Sequence, residues 1–102
     1  MHSIQILLPL YNQEGEAFPK QHYIQLRNEF TEQFGGITIY TRSPATGFWK
    51  ENDEKTVKDD IIIYEVMAQE LDKTWWQSCR QRLEHLFRQD EIIIRTWNIE
   101  LL

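Results

Sequence analysis

The feature that most constrains the fold is the order in which two apolar periodicities alternate along the chain. Residues 2–9 and 37–42 alternate apolar and polar side chains with a period of two, which predicts half-buried β-strands. Residues 61–68 form the most apolar run and predict a strand covered on both faces. Residues 91–100 predict a fourth strand. Pro9 ends the first strand because it has no N–H to donate to a neighbour.

A helical periodicity separates the first two strands. Pro19 suits the first helical position, where its missing N–H removes no helical hydrogen bond. Gly35 and Gly36 end the helix, since glycine readily adopts the positive φ of a helix C-terminus. The apolar stripe of this helix consists of Tyr23, Leu26, Phe30 and Phe34.

A second helix is predicted from Asp72 to about Arg88. The Asp72 carboxylate can cap the free N–H groups of the first turn, and Leu71 can pack against Trp76 as a hydrophobic staple. The apolar positions are Trp75, Trp76, Cys79, Leu83 and Leu86, with Phe87 just outside the stripe. The Trp75 and Trp76 rings are expected to pack in the core.

The order strand, helix, strand, strand, helix, strand is the split βαβ pattern. Right-handed crossovers then place both helices on one face of a four-stranded antiparallel sheet with the order 4-1-3-2. We therefore predict an α+β, ferredoxin-like βαββαβ sandwich, with all 102 residues in one domain, 1–102. Residues 43–60 are expected to form a long polar loop, with a short additional strand at 48–50.

The sheet face away from the helices is expected to be largely apolar. The residues expected on the helix side are Ile4, Ile6, Leu8, Ile37 and Ile39. Those expected on the open side are Gln5, Leu7, Thr38, Tyr40 and Arg42. If Ile62, Tyr64 and Val66 meet the helices, the open side gains Ile61, Ile63, Glu65 and Met67. If Ile92 and Ile94 meet the helices, the open side gains Ile93, Arg95, Trp97 and Ile99. An apolar face of this size is expected to be covered, most simply by a second copy in a homodimer.

Charge and composition narrow the choice of partners. The net charge is −5 with acids and bases interspersed, so nucleic acid and membrane surfaces are not expected partners. The first residues resemble a strand and no signal peptide, which predicts a cytoplasmic location. The single cysteine, Cys79, is expected to be buried and structural. The three histidines, His2, His22 and His85, lack metal-ligand spacing, and neither a metal nor another cofactor is expected.

Several segments resemble a group of short uncharacterised bacterial proteins of unknown function. They are residues 33–38, 44–50, 65–67, 75–76 and 89–92. The similarity implies no activity. At the level of the fold, the length and element order also resemble the dimeric α+β barrel proteins, in which two such sheets pack face to face.

The candidate site residues lie on the open face and in the long loop. Glu65, Arg42 and Arg95 can converge there beside Tyr40 and Trp97, if strands three and four face as described above. A carboxylate between guanidinium groups can hold an anionic ligand or act as a general base, and it can equally form a charge network between subunits.

Trp49 lies in the long loop, which is either a binding loop or a loop folded over the sheet edge. Two functions follow from these residues. The first is a homo-oligomeric binding or interaction module that uses the open sheet face. The second is a cofactor-free enzyme, with Glu65 as general base and Arg42 or Arg95 holding a small anionic substrate.

Overall fold

The computed structural model describes the backbone of residues 1–50 and 56–102, and the side chains of residues 1–41 and 60–102. Its strands and helices are β1 His2–Pro9, α1 Lys20–Phe34, β2 Thr38–Lys50, β3 Thr56–Ala68, α2 Lys73–Leu86 and β4 Ile94–Asn98. The strands form a sheet with the order β2-β3-β1-β4. All its neighbouring pairs are antiparallel. The predicted βαββαβ arrangement is confirmed.

Both helices lie on the same face of the sheet, because their apolar stripes share one core with β1 and β3. The fully buried members of this core are Ile4, Ile6, Leu8, Leu26, Phe30, Tyr64, Val66, Trp76, Cys79, Leu83, Phe87 and Ile92. Partly buried residues extend it, among them Tyr23, Ile39, Ile62 and Ile94. The apolar residues that recur every second position in the strands thus pack against those that recur every 3.6 positions in the helices, in a single layer.

Aromatic rings fill the space between the ends of the two helices. The Trp76 ring stacks on Phe34 with ring centroids 5.3 Å apart, and Trp75 meets Trp76 edge-on at 4.8 Å. Phe30 completes the group with a centroid 6.1 Å from Trp76. The prediction that both tryptophans pack in the core is confirmed, and the aromatic contacts add to the stabilisation from burial.

Two of the four helix ends follow the sequence signals, and two differ by one or two residues. Asp72 caps α2, its Oδ1 accepting from the N–H of Trp75 at 3.0 Å. Gly35 ends α1 in the left-handed conformation, and its N–H donates to the Thr31 carbonyl at 2.8 Å. Pro19 lies one residue before α1. The α2 end differs, because the left-handed residue after it is Arg88, with a φ of 52° where glycine is usual.

Two predicted boundaries are wrong. Residues 43–50 and 56–60 are strand, so β2 and β3 form a long hairpin where a loop over 43–60 was expected. An irregularity between Tyr40 and Ala45 lets four β2 residues face one β3 residue, which accommodates Pro44. β4 is shorter than predicted because the N–H of Ile92 donates to the Glu84 carboxylate at 3.0 Å, and only later residues pair with β1.

Buried polar groups in the helix layer are hydrogen-bonded. The Tyr64 hydroxyl donates to the Tyr23 carbonyl at 2.9 Å, and the Tyr23 hydroxyl donates to the Pro9 carbonyl at 2.6 Å. Burial raises the pKa of Cys79 to about 11, so the thiol stays protonated at neutral pH and is structural, as predicted. Within the part of the chain that the structure describes, no helix has the length and apolarity needed to cross a membrane.

Candidate functional site on the open sheet face

The side chains of the open face are set by strand register. In β3, Tyr64 and Val66 are buried under the helices, so Ile63, Glu65 and Met67 point to the other side. Ile92, just before β4, is buried and Ile94 of β4 packs against the core, which places Ile93, Arg95 and Trp97 on the open side. The facing that the sequence left open for these two strands is thereby settled.

One row of polar side chains crosses the whole face. Thr38 of β2 pairs with Glu65 of β3, Glu65 with Gln5 of β1, and Gln5 with Arg95 of β4. Side chains directly opposite one another in antiparallel strands lie about 5 Å apart, close enough for hydrogen bonds. The row therefore brings a carboxylate, an amide and a guanidinium into contact although they are far apart in sequence.

Hydrogen bonds join these groups in sequence. The Gln5 amide donates from Nε2 to Glu65 Oε1 at 3.0 Å, and its Oε1 accepts from Nε and Nη2 of Arg95 at 3.1 and 3.0 Å. The Tyr40 hydroxyl donates to Glu65 Oε2 at 3.1 Å. We call Tyr40, Glu65, Gln5 and Arg95 the polar row. Both oxygens of the Glu65 carboxylate accept hydrogen bonds, and the Gln5 amide lies between this carboxylate and the Arg95 guanidinium.

The Glu65 carboxylate of the polar row changes the pKa of the Tyr40 phenol. The hydrogen bond from the Tyr40 hydroxyl to Glu65, followed by the negative charge of Glu65 and by desolvation, raises the pKa of Tyr40. The phenol is therefore a hydrogen-bond donor at neutral pH. It can hold the Glu65 carboxylate in position, whereas loss of its own proton is disfavoured.

Apolar side chains lie on both sides of the polar row. The most exposed are Met67 at 47%, Ile93 at 51% and Trp97 at 43%, with Tyr40 at 44%. Leu7, Ile61 and Ile63 add half-buried apolar surface. The small Ser3 pairs with Met67 on one side and Trp97 on the other, and it is only 4% exposed. Ser3 is thus largely covered, with a large side chain on each side of it.

A hollow of about 340 Å³ opens at the β2 edge of the face. Its lining is Phe34, Gly35, Gly36, Ile37, Thr38, Glu65, Val66 and Met67. Gly36 lines the hollow, and a Cβ added there would point into open space, with nothing within 4 Å. Glu65 thereby belongs both to the polar row and to the wall of a cavity.

The structure brings most of the predicted site residues together. Tyr40, Glu65 and Arg95 lie in the polar row, and Trp97 lies beside it at the level of Ser3. The side chains of Arg42 and Trp49 lie outside the described residues. Gln5 was not selected from the sequence although it bonds both Glu65 and Arg95. Only the pairing register could have identified it, because a glutamine in an alternating strand is an ordinary exposed residue.

Two solved structures share the fold. A phage SAM lyase in complex with S-methyl-5′-thioadenosine aligns with a TM-score of 0.64 and 12% identity, over 94% of this chain and 79% of that chain. A phage SAM lyase in the apo state aligns with a TM-score of 0.61 and 12% identity, over 94% and 78%. No family model and no curated protein matches the sequence. At this identity the similarity extends to the fold alone.

Proposed function

We propose that this protein is a homo-oligomeric interaction module whose open sheet face binds the same face of a second copy. The observation that carries the proposal is the exposure of Met67, Ile93 and Trp97 on one face, about half of each side chain being accessible. Scattered exposed apolar residues need no explanation, but three large ones on a single helix-free sheet face indicate an interface. The similarity to the group of short bacterial proteins stays a prediction beside it.

The polar row supports covering by a protein surface. Burying a charged group without a partner is costly, whereas a carboxylate and a guanidinium joined through hydrogen bonds lose less on desolvation. Glu65 accepts from Tyr40 and Gln5, and Arg95 donates to Gln5. When a second chain covers the polar row, most of the hydrogen bonds of the row are therefore already formed within one chain.

The extent of the face is of the right order for a stable interface. Four strands spaced ~4.8 Å apart, with β1 eight residues long, span roughly 20 Å by 25 Å, or about 500 Å² before side-chain relief is counted. Standard protein interfaces bury about 800 Å² per partner. The flat area of the face is about two thirds of that value, and side-chain relief adds to it, so two such faces would bury an interface at the small end of the usual range.

Sedimentation velocity tests the proposal. We expect the wild type to associate at micromolar concentration and Met67→Lys to sediment as a monomer, because the variant places a charge in the apolar part of the face. Ile24→Lys is the matched control, since Ile24 is 37% exposed on α1, on the other side of the molecule. A wild type that stays monomeric up to submillimolar concentration contradicts the proposal.

A second candidate rests on the hollow beside Glu65. A carboxylate that lines a cavity and is positioned by a phenol can act as a general base, with Arg95 at the far end of the row for an anionic group. The fold shared with a phage SAM lyase suggests one substrate to try. Consumption of SAM, measured by liquid chromatography and abolished in Glu65→Gln, supports this enzyme. No consumption above a heat-inactivated control removes SAM as its substrate.

A further inference from the structure

Resting on the proposed self-association, we infer that two copies pack about a two-fold axis parallel to the strands, with Trp97 of each copy in the hollow beside Gly36 of the other. In this arrangement β3 of one copy lies over β1 of the second, and β4 lies over β2. The axis runs between β3 and β1, which are the central strands of the sheet order. The partner is thus specified down to a side chain and its cavity.

The charges of the polar row favour this axis. An axis across the strands stacks every strand on its own copy, so Glu65 meets either Glu65 of the second copy or the apolar Ile63 or Met67. Each of these contacts leaves a carboxylate poorly paired. An axis along the strands places Glu65 over Gln5 of the second copy and one strand spacing, about 4.8 Å, from its Arg95. The guanidinium then pairs with a carboxylate across the interface.

Side-chain sizes agree with the same axis. Met67 comes to lie over Ser3 of the second copy, since both are at one level of the β1–β3 register. Ser3 is the small residue at this level, between Met67 and Trp97 of its own chain, so a methionine from the second copy lies over a small residue. Ile63 likewise comes to lie over Leu7, its own pairing partner in the sheet. Large residues therefore face small ones, and apolar residues face apolar ones.

In this arrangement the Trp97 side chain of the second copy occupies the hollow. Trp97 pairs with Ser3, and Ser3 pairs with Met67, which sets the level of the indole along the strands. Met67 also lines the hollow at the β2 edge, so the hollow lies at this same level. Because β4 lies over β2, Trp97 of the second copy consequently comes over the hollow of about 340 Å³. Tryptophans seated in such pockets are typical interface anchors.

Two substitutions test the anchor from both sides. Trp97→Ala is expected to raise the dimer dissociation constant by about 30-fold or more, as for a lost aromatic hot spot. Gly36→Leu should do the same by filling the hollow, while the fold remains intact because no atom lies within 4 Å of the added Cβ. Ser78→Leu, an equal enlargement on the exposed side of α2, serves as the control. Circular dichroism checks that each variant is folded.

A charge exchange tests the axis itself. Glu65→Arg and Arg95→Glu are each expected to be monomeric, because both place like charges together across the interface. Mixed in equal amounts, they should form a heterodimer in which every cross-subunit pair is again of opposite charge. Recovery of the dimer mass on mixing supports the axis, whereas two monomers after mixing overturn it.

The outcomes separate the two levels of the proposal. A monomeric wild type overturns the self-association itself. A wild-type dimer that tolerates Gly36→Leu and Trp97→Ala leaves self-association standing and overturns this arrangement, as does an assembly mass of three copies.

Discussion

The two faces of the sheet differ in how their apolar side chains are satisfied. On the helix face Ile4, Ile6 and Leu8 are fully buried, and among the side chains that the structure describes no charged one belongs to the buried core. On the other face a charged row crosses the middle, and the largest apolar side chains remain about half exposed. The first face accounts for the stability of one chain. The second face leaves apolar surface exposed, and for this reason we propose that it acts between chains.

The largest expected effect is therefore a loss of folding stability on the helix face. Phe30→Ala should lower the free energy of unfolding by about 3–5 kcal/mol, because it removes a side chain with no exposed surface and leaves a cavity. Ile93→Ala on the open face should cost less than about 1 kcal/mol in a dilute, dissociated sample. Urea denaturation of both variants measures the contrast. Equal losses would show that the two faces contribute alike to folding.

Alkaline pH should also act through the helix face. Burial raises the pKa of Cys79 from 9.0 to about 11 and that of Tyr23 from 10.0 to about 12. Between those values the unfolded chain loses protons that the folded chain retains, so stability falls as pH rises from about 9 to 11. Thermal melts should show this decline, and Cys79→Ala should flatten it by on the order of 1 kcal/mol. A pH-independent melting temperature would contradict the expected titration.

The smallest effect concerns the start of α2, away from the open face. Asp72→Ala should lower the free energy of unfolding by about 1 kcal/mol, because the N–H of Trp75 loses its acceptor and the helix dipole loses a nearby negative charge. Asp90→Ala, at an exposed acid outside the helices, is the control. Self-association should be unchanged in both variants. A denaturation midpoint equal to that of the wild type would show that the cap contributes nothing.

Much of this fold could be predicted because local and global signals agree. The stripes of both helices, the Asp72 cap and the alternation in β1 each depend on spacing alone. In the hairpin arms at 43–50 and 56–60 only residues 48–50 were predicted as strand, since a polar two-stranded ribbon is held by backbone hydrogen bonds and needs no apolar alternation. The start of β4 was also predicted wrongly. Spacing alone does not show that the N–H of Ile92 donates to the Glu84 carboxylate, before the strand begins.

The candidate site was predicted in part for a different reason. Tyr40, Glu65 and Arg95 could be assigned to one face from parity. Their connection through Gln5 depends on the register of β1 with both β3 and β4, and periodicity does not determine register. The hollow beside Gly36 was also invisible, because the same glycine is fully explained as part of a helix terminator.

Methyl NMR of the open face tests the central claim most directly. The sequence contains two methionines, so a sample labelled at methionine methyl groups gives at most two signals, one of them from Met67. In a dilute sample a soluble paramagnetic agent should broaden the Met67 methyl strongly, as its 47% exposure requires. We predict that raising the protein concentration shifts this signal and protects it from the agent. In a second sample, labelled at isoleucine methyl groups, the exposed Ile24 methyl on α1 should stay accessible. A Met67 methyl that remains equally accessible at every concentration would contradict the account.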